Sequence, residues 1–260
     1  MNYSLLLAGL ALVFFVLLLL AMQLGKRLGQ NADETSRSGT AAIEASVFAL
    51  LGLLVAFTFS GAAQRMAERR TILVQEVNDI GTAWLRIDLL NAADQPALRD
   101  LFRNYVDERI NYYGHVADLA GRDAIAARAG AIQKQIWTAS MRASHNTPPP
   151  FAATYVAAVN DMFDISTTQT VAQKIHPPAM AYVFLCVLAL IGAALIGFNL
   201  AVSKRSPLLH QAVYAAVMTA ALYIIVDFEF PRIGTIRIDQ SDTLLIAQRQ
   251  SMVNPDGTGK

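Results

Sequence analysis

Charge is scarce in this chain of 260 residues: Asp, Glu, Lys and Arg make up 16% of it, against roughly 25% in an average soluble domain. The shortage is local. Residues 5–22, 45–63, 177–203 and 206–226 contain none of the four charged types. Each run is about long enough to cross a hydrocarbon core of ~30 Å as a helix, which excludes a purely soluble class. The single cysteine, Cys186, excludes an intramolecular disulfide. A net charge of +1 excludes bulk attraction to nucleic acid. The four histidines, His115, His145, His176 and His210, lie in separate segments without a cysteine partner or an H-x-x-x-H pair, which argues against a metal site. Nucleotide-binding glycine loops, G-x-S-x-G and H-E-x-x-H are missing too. No cofactor is expected, and no catalytic constellation that would make the chain an enzyme.

Those absences leave an all-α polytopic membrane protein with one polar insertion. The expected organisation is 1–63, two transmembrane helices with a connecting loop; 64–178, a helical extramembrane domain; 179–227, two further transmembrane helices; and 228–260, a C-terminal tail. The first apolar run lacks a basic n-region and exceeds an h-region of about 7–15 residues, so it reads as a retained anchor. The second helix is expected to begin near Thr40, with Glu44 in its first turn where the helix dipole favours an anion. No span carries a charge at its centre of the kind a proton pump uses.

The middle region is helical by its spacing. Leu73, Val77, Ile80, Trp84 and Ile87 form one apolar seam, and Leu98, Phe102, Val106, Ile110 and Tyr113 a second. A third helix is expected over 122–142, with Ile125, Ile132 and Ile136 on one side. Three prolines at 148–150 break it, because proline cannot sit in a helix interior. A fourth covers 152–174. Beyond the last span, 230–238 alternates briefly like a strand, 242–250 reads as a short helix, and the end of the chain reads as disorder. The carboxylates of this region sit beside arginines on helix faces and read as solvated surface.

The second span carries two patterns. Ala45, Ala49, Gly52, Ala56, Ser60, Ala63 and Ala67 share one side of the helix. Small residues in register allow close helix approach in lipid, either within the chain or between subunits. The run then leaves the membrane through Phe57, Phe59 and the cluster Arg65, Glu68, Arg69 and Arg70. The aromatics fit lipid contact, internal packing or an apolar constriction that gates by dewetting. The arginines fit an interfacial anchor or a pore mouth that concentrates anions.

At this point the residues resemble a family. Phe57, Ala62, Arg65, Glu68 and Arg70 follow the F-x-x-x-x-A-x-x-R-x-x-E-x-R signature of bacterial bestrophin anion channels. "LGLLVAFTFS", "EVNDIGTAWLRIDLL" and "DFEFPRIGTIRI" resemble the bacterial bestrophin-like domain family over about residues 40–250. The resemblance implies a homo-oligomer, a pentamer in bestrophins, embedded in membrane lipid around one pore. It implies a neck at Phe57, Leu53 and Ala49, and chloride or a similar anion as the permeant species. It also implies a bacterial inner-membrane location with the helical domain and both termini in the cytosol. Two positions depart from the bestrophin pattern: the neck tapers to alanine at Ala49, and Thr58 replaces the arginine after the neck phenylalanine. The positive-inside rule does not decide orientation, since Lys26, Arg27, Arg37, Lys204 and Arg205 oppose Arg65, Arg69, Arg70, Lys174, Arg232 and Arg237. The alternative reading is a non-conducting membrane scaffold or sensor whose helical domain binds a cytosolic partner.

Overall fold

The computed structural model describes residues 3–30, 34–114, 119–201, 208–230, 235 and 239–253. Eight α-helices are placed among them: α1 (Tyr3–Gly29), α2 (Glu34–Arg86), α3 (Gln95–Gly114), α4 (Leu119–His145), α5 (Pro149–Ala172), α6 (Ala179–Leu200), α7 (Leu208–Glu229) and α8 (Asp239–Ser251). A 3-10 turn at Ile87–Leu89 ends α2. No strand occurs among the described residues. α1, α2, α6 and α7 are each long and apolar enough to cross a membrane. The chain is an all-α polytopic membrane protein.

α2 is one helix of 53 residues, several times the usual length of about 11–12. It starts at Glu34 rather than near Thr40. No proline interrupts the intervening residues, and the one glycine, Gly39, costs only about 1 kcal/mol in a helix interior. At its other end the helix runs through the arginine-rich stretch without a stop, because the apolar seam from Leu73 onward stays in phase.

The chain divides into two compact units, and the division falls inside α2. The first comprises Met1–Met66 and His176–Ile236. Leu18, Met22, Leu51, Leu188, Ala189, Ala193 and Ala215 form its principal core. The α1–α6 contact is made by glycine. A Cβ on Gly25 would lie 1.9 Å from the carbonyl oxygen of Ala194, and one on Gly197 would lie 1.9 Å from that of Met22. Glycine at these positions allows the two helix backbones to approach this closely. Many α1 leucines stay exposed in the chain, Leu5, Leu10 and Leu12 among them, as a lipid-facing helix requires.

The second unit comprises Ala67–Ile175 and Arg237–Lys260. Its core takes Leu73, Ile80 and Trp84 from α2, Ile87 from the 3-10 turn, and Leu98, Phe102 and Val106 from α3. α4 adds Ile125 and Ile136, α5 adds Tyr155 and Val159, and α8 adds Leu245. Val77, Ile110 and Ile132 pack against this core partly buried. The three prolines start a helix as well as ending one: Pro148 is the N-cap of α5, with prolines in its first turn. Proline is tolerated there because the first-turn N–H groups have no intrahelical partner. α8 covers the predicted 242–250 helix. Most of the strand-like segment 230–238, the tail 254–260 and His115 lie outside the described residues.

Candidate pore helix and its charged flank

α2 is the least covered of the four spans, with 6% of its apolar window buried. Its bulky side chains, Val47, Phe48, Leu51, Leu54 and Val55, turn inward onto the first unit's core clusters. The opposite edge is left open. Leu53 is 52% exposed and Phe57 is 67% exposed, and Ala49 is exposed as well. Spaced four apart, these three share one side of the helix. Phe59 instead leans on Phe228 of α7, with ring centroids 5.5 Å apart.

The small-residue stripe does not pack against the other described residues. Ala45, Ala49, Gly52, Ala56, Ser60 and Ala67 are exposed, and only Ala63 is half-buried. Nothing lies within 4 Å of a Cβ placed on Gly52. Among the described residues the stripe has no packing partner, and the reason is area. Burying the bulky face of α2 removes far more apolar surface than burying its alanine face.

The four charged residues at the flank part company. In the first unit, Arg65 donates from Nε to both carboxylate oxygens of Glu229, at 2.9 and 3.3 Å. Its Nη2 lies 2.8 Å from the same carboxylate. His176 brings Nδ1 to 2.9 Å from Glu229 and stacks on Phe230 at 4.7 Å. The Glu229 side chain is fully buried beneath these partners. In the second unit, Arg69 is 6% exposed. It donates to the carbonyl oxygens of Ala172 and Ile175 at 3.2 and 3.1 Å. Ala172 is the last residue of α5 and Ile175 follows just beyond it, where carbonyls lack intrahelical partners and the dipole favours a cation. Arg69 therefore caps the carbonyl end of α5. Glu68 and Arg70 are exposed.

The carboxylates that matter at this flank were not singled out by sequence. Asp227 and Glu229 are both buried. Asp227 accepts the Thr235 N–H at 2.9 and 3.2 Å. Both stand at the end of α7, so they leave the span's centre uncharged as expected. The available signal was position: "DFEFP" puts two carboxylates between aromatics directly after an apolar run. At the other end of the first unit, Asn199 of α6 donates to Glu44 of α2. The 21 residues from Glu44 to Arg65 rise about 32 Å along the helix. Between these two partnered charges lies about one hydrocarbon thickness.

The second unit holds a buried charged network. Arg109 of α3 donates from Nε to Glu76 of α2 at 2.5 Å and from Nη2 to the Tyr113 hydroxyl at 3.2 Å. Tyr113 in turn donates to the second Glu76 oxygen. The Tyr112 hydroxyl reaches Gln173 at 3.0 Å. Burial most strongly opposes the Arg109 charge, but Glu76, Tyr113 and Tyr105 together hold the guanidinium above its ordinary value. Burial first, then the Glu76 carboxylate, pushes the Tyr113 phenol well up. The network has no open face for a substrate. Among the described residues no group of three or more His, Cys, Asp or Glu side chains is placed to hold a metal.

Four membrane-length helices and a second helical unit define an all-α integral membrane protein. Residues 8–243 match the Bestrophin-like domain family, and the chain belongs to it. No curated protein and no solved structure matches the chain.

Proposed function

We propose that this protein is an oligomeric ion channel whose second transmembrane helix lines the pore. The observation that carries the reading is the open edge of α2. Ala49, Leu53 and Phe57 lie in line on a membrane-length helix, and no described residue covers them. Around a symmetry axis, that edge becomes successive apolar rings narrowing at Phe57, a constriction of the kind that gates by dewetting. The small-residue stripe beside it supplies the close helix approach a subunit contact needs. The family supports the same reading, since it is related to bestrophin channels.

By resemblance the assembly is a pentamer in the bacterial inner membrane, with the helical unit and both termini in the cytosol. The implied chloride preference depends on basic charge at the mouth, and Arg65 and Arg69 are both engaged within the chain. The test is ion flux through purified protein in liposomes, with its mass measured in mild detergent. An oligomer that conducts, and conducts more as Phe57→Ala, is the expected result. A monomer, or liposomes silent for both wild type and variant, would sink the channel and leave the scaffold reading.

A further inference from the structure

The open edge of α2 is apolar only in its middle. A helix turns about 100° per residue, so Ala49, Leu53 and Phe57 cover an arc of about 80°. Ser46 and Ser60 fall inside the same arc, each about 20° from its middle. Both serines are exposed, and both belong to the first unit. Ser46 comes three residues before Ala49, and Ser60 three residues after Phe57. Along the helix axis the apolar stretch is about 12 Å long, and the two serines stand about 21 Å apart. No Asp, Glu, Lys or Arg falls in this arc from Ser46 to Gln64.

The hydroxyl of Thr58 is placed differently. It donates to the carbonyl oxygen of Leu54 at 2.7 Å, and Thr58 lies about 140° from the middle of the arc. Ser46 also donates within the helix, to the carbonyl oxygen of Ala42 at 2.8 Å. A hydroxyl has one proton and two lone pairs, so this bond leaves Ser46 able to accept. Beside it lies an open concavity of about 360 Å³, lined by Ala42, Ile43, Ser46, Val47 and Leu50. A single water needs only about 10–15 Å³ of such space. The apolar line of α2 is therefore bracketed by two exposed hydroxyls, one of them beside room for a hydrated ion.

We propose that Ser46 and Ser60 are ion sites at the two ends of the apolar neck. They take a small monovalent ion as it sheds water to enter and as it regains water on leaving. This rests on α2 lining the pore. An ion loses hydration in an apolar constriction at high cost, and oxygen ligands beside the constriction replace part of what is lost. Around a symmetry axis, one serine per subunit becomes a ring of hydroxyls. Hydroxyls both donate and accept, so the two rings lower the entry cost without fixing the sign of the ion.

The experiment is single-channel recording from the full chain in planar bilayers in symmetric KCl. Ser46→Ala and Ser60→Ala are each expected to lower conductance by about two- to tenfold, the range that loss of one neutral hydrogen bond sets. Thr58→Val is expected to leave it unchanged. Cysteine gives a second readout, in a Cys186→Ala background. A charged methanethiosulfonate reagent should block current in Ser46→Cys from one face of the bilayer and in Ser60→Cys from the other, because the neck between them excludes it. Unchanged conductance in both alanine variants overturns the ion sites while leaving a channel. Block in neither cysteine variant, or in both from the same face, overturns them as well. Absence of any wild-type current overturns the channel reading and the ion sites with it.

Discussion

Arg65 and Glu229 stand 2.8 Å apart, one on the second span and the other at the last residue of the fourth. The pair ties together two helices separated by 164 positions in sequence. The carboxylate is fully buried, and the guanidinium keeps 27% of its side-chain surface. Removing the cation from a buried carboxylate costs about 3 kcal/mol or more. Arg65→Ala should lower the thermal midpoint in detergent. The Arg65→Gln, Glu229→Gln double variant should recover part of that loss, because it leaves no unpaired buried charge. A double variant less stable than either single one would contradict the pairing.

Glycine at the α1–α6 crossing should be irreplaceable. A Cβ at Gly25 or Gly197 meets a backbone carbonyl at 1.9 Å, which no side-chain rotation relieves. Overpacking typically costs about 1–3 kcal/mol, and a clash with backbone belongs at or above that range. Gly25→Val and Gly197→Val should give poorly folded protein, read as early loss of the monodisperse peak during heating.

Gly52 offers the contrasting case. No described atom lies within 4 Å of a Cβ placed there, so Gly52→Val should leave the subunit folded. If the small stripe is a subunit contact, the same substitution should break the oligomer into lower-mass species. Unchanged mass in detergent would show that this face meets only lipid.

The Glu76–Arg109 pair should dominate the stability of the helical unit. Both side chains are almost completely buried. Glu76→Leu leaves a guanidinium without its counter-charge and should cost about 3–5 kcal/mol. Glu76→Leu with Arg109→Met should be far milder. Thermal melts of the four proteins of this double-mutant cycle provide the measurement.

Alkaline pH should destabilise the same unit. Burial raises the phenols of Tyr105 and Tyr113, and pushes Tyr155 up to about 12. An unfolded tyrosine loses its proton near pH ~10. Between that value and the folded one, unfolding releases protons. Stability therefore falls as pH rises, by up to about 1.4 kcal/mol per unit for each phenol, and is unaffected by them at lower pH. Tyr155→Phe should flatten the decline. Melting midpoints from about pH 8 to 11.5 would reveal it.

Much of the architecture was legible because lipid constrains sequence strongly. Uncharged runs of span length have few alternatives. The seam from Leu73 to Ile87 kept its phase, so α2 could be followed out of the membrane run as one helix. The helix start was less legible. Thr40 offered a cap-like side chain, but the backbone before it is equally able to be helical, and α2 begins at Glu34. Local chemistry marks such a boundary only weakly.

The candidate site divided along the same line. Periodicity put Ala49, Leu53 and Phe57 on one side of α2 and the small residues beside them, since both follow from the helical repeat. It could not say which side the rest of the chain would cover. That was decided by the bulky residues, which gain most from burial. Nor could the run Arg65, Glu68, Arg69 and Arg70 show its own division. One arginine answers to a carboxylate 164 positions away and another to the carbonyl end of α5. The sequence by itself determined the number of spans, the helical insertion and the line of the pore-facing candidates, because these are local and periodic. Only the tertiary structure decided which charges remain available to an ion, because a charge is cancelled by whatever lies within a few ångströms, however distant in the chain.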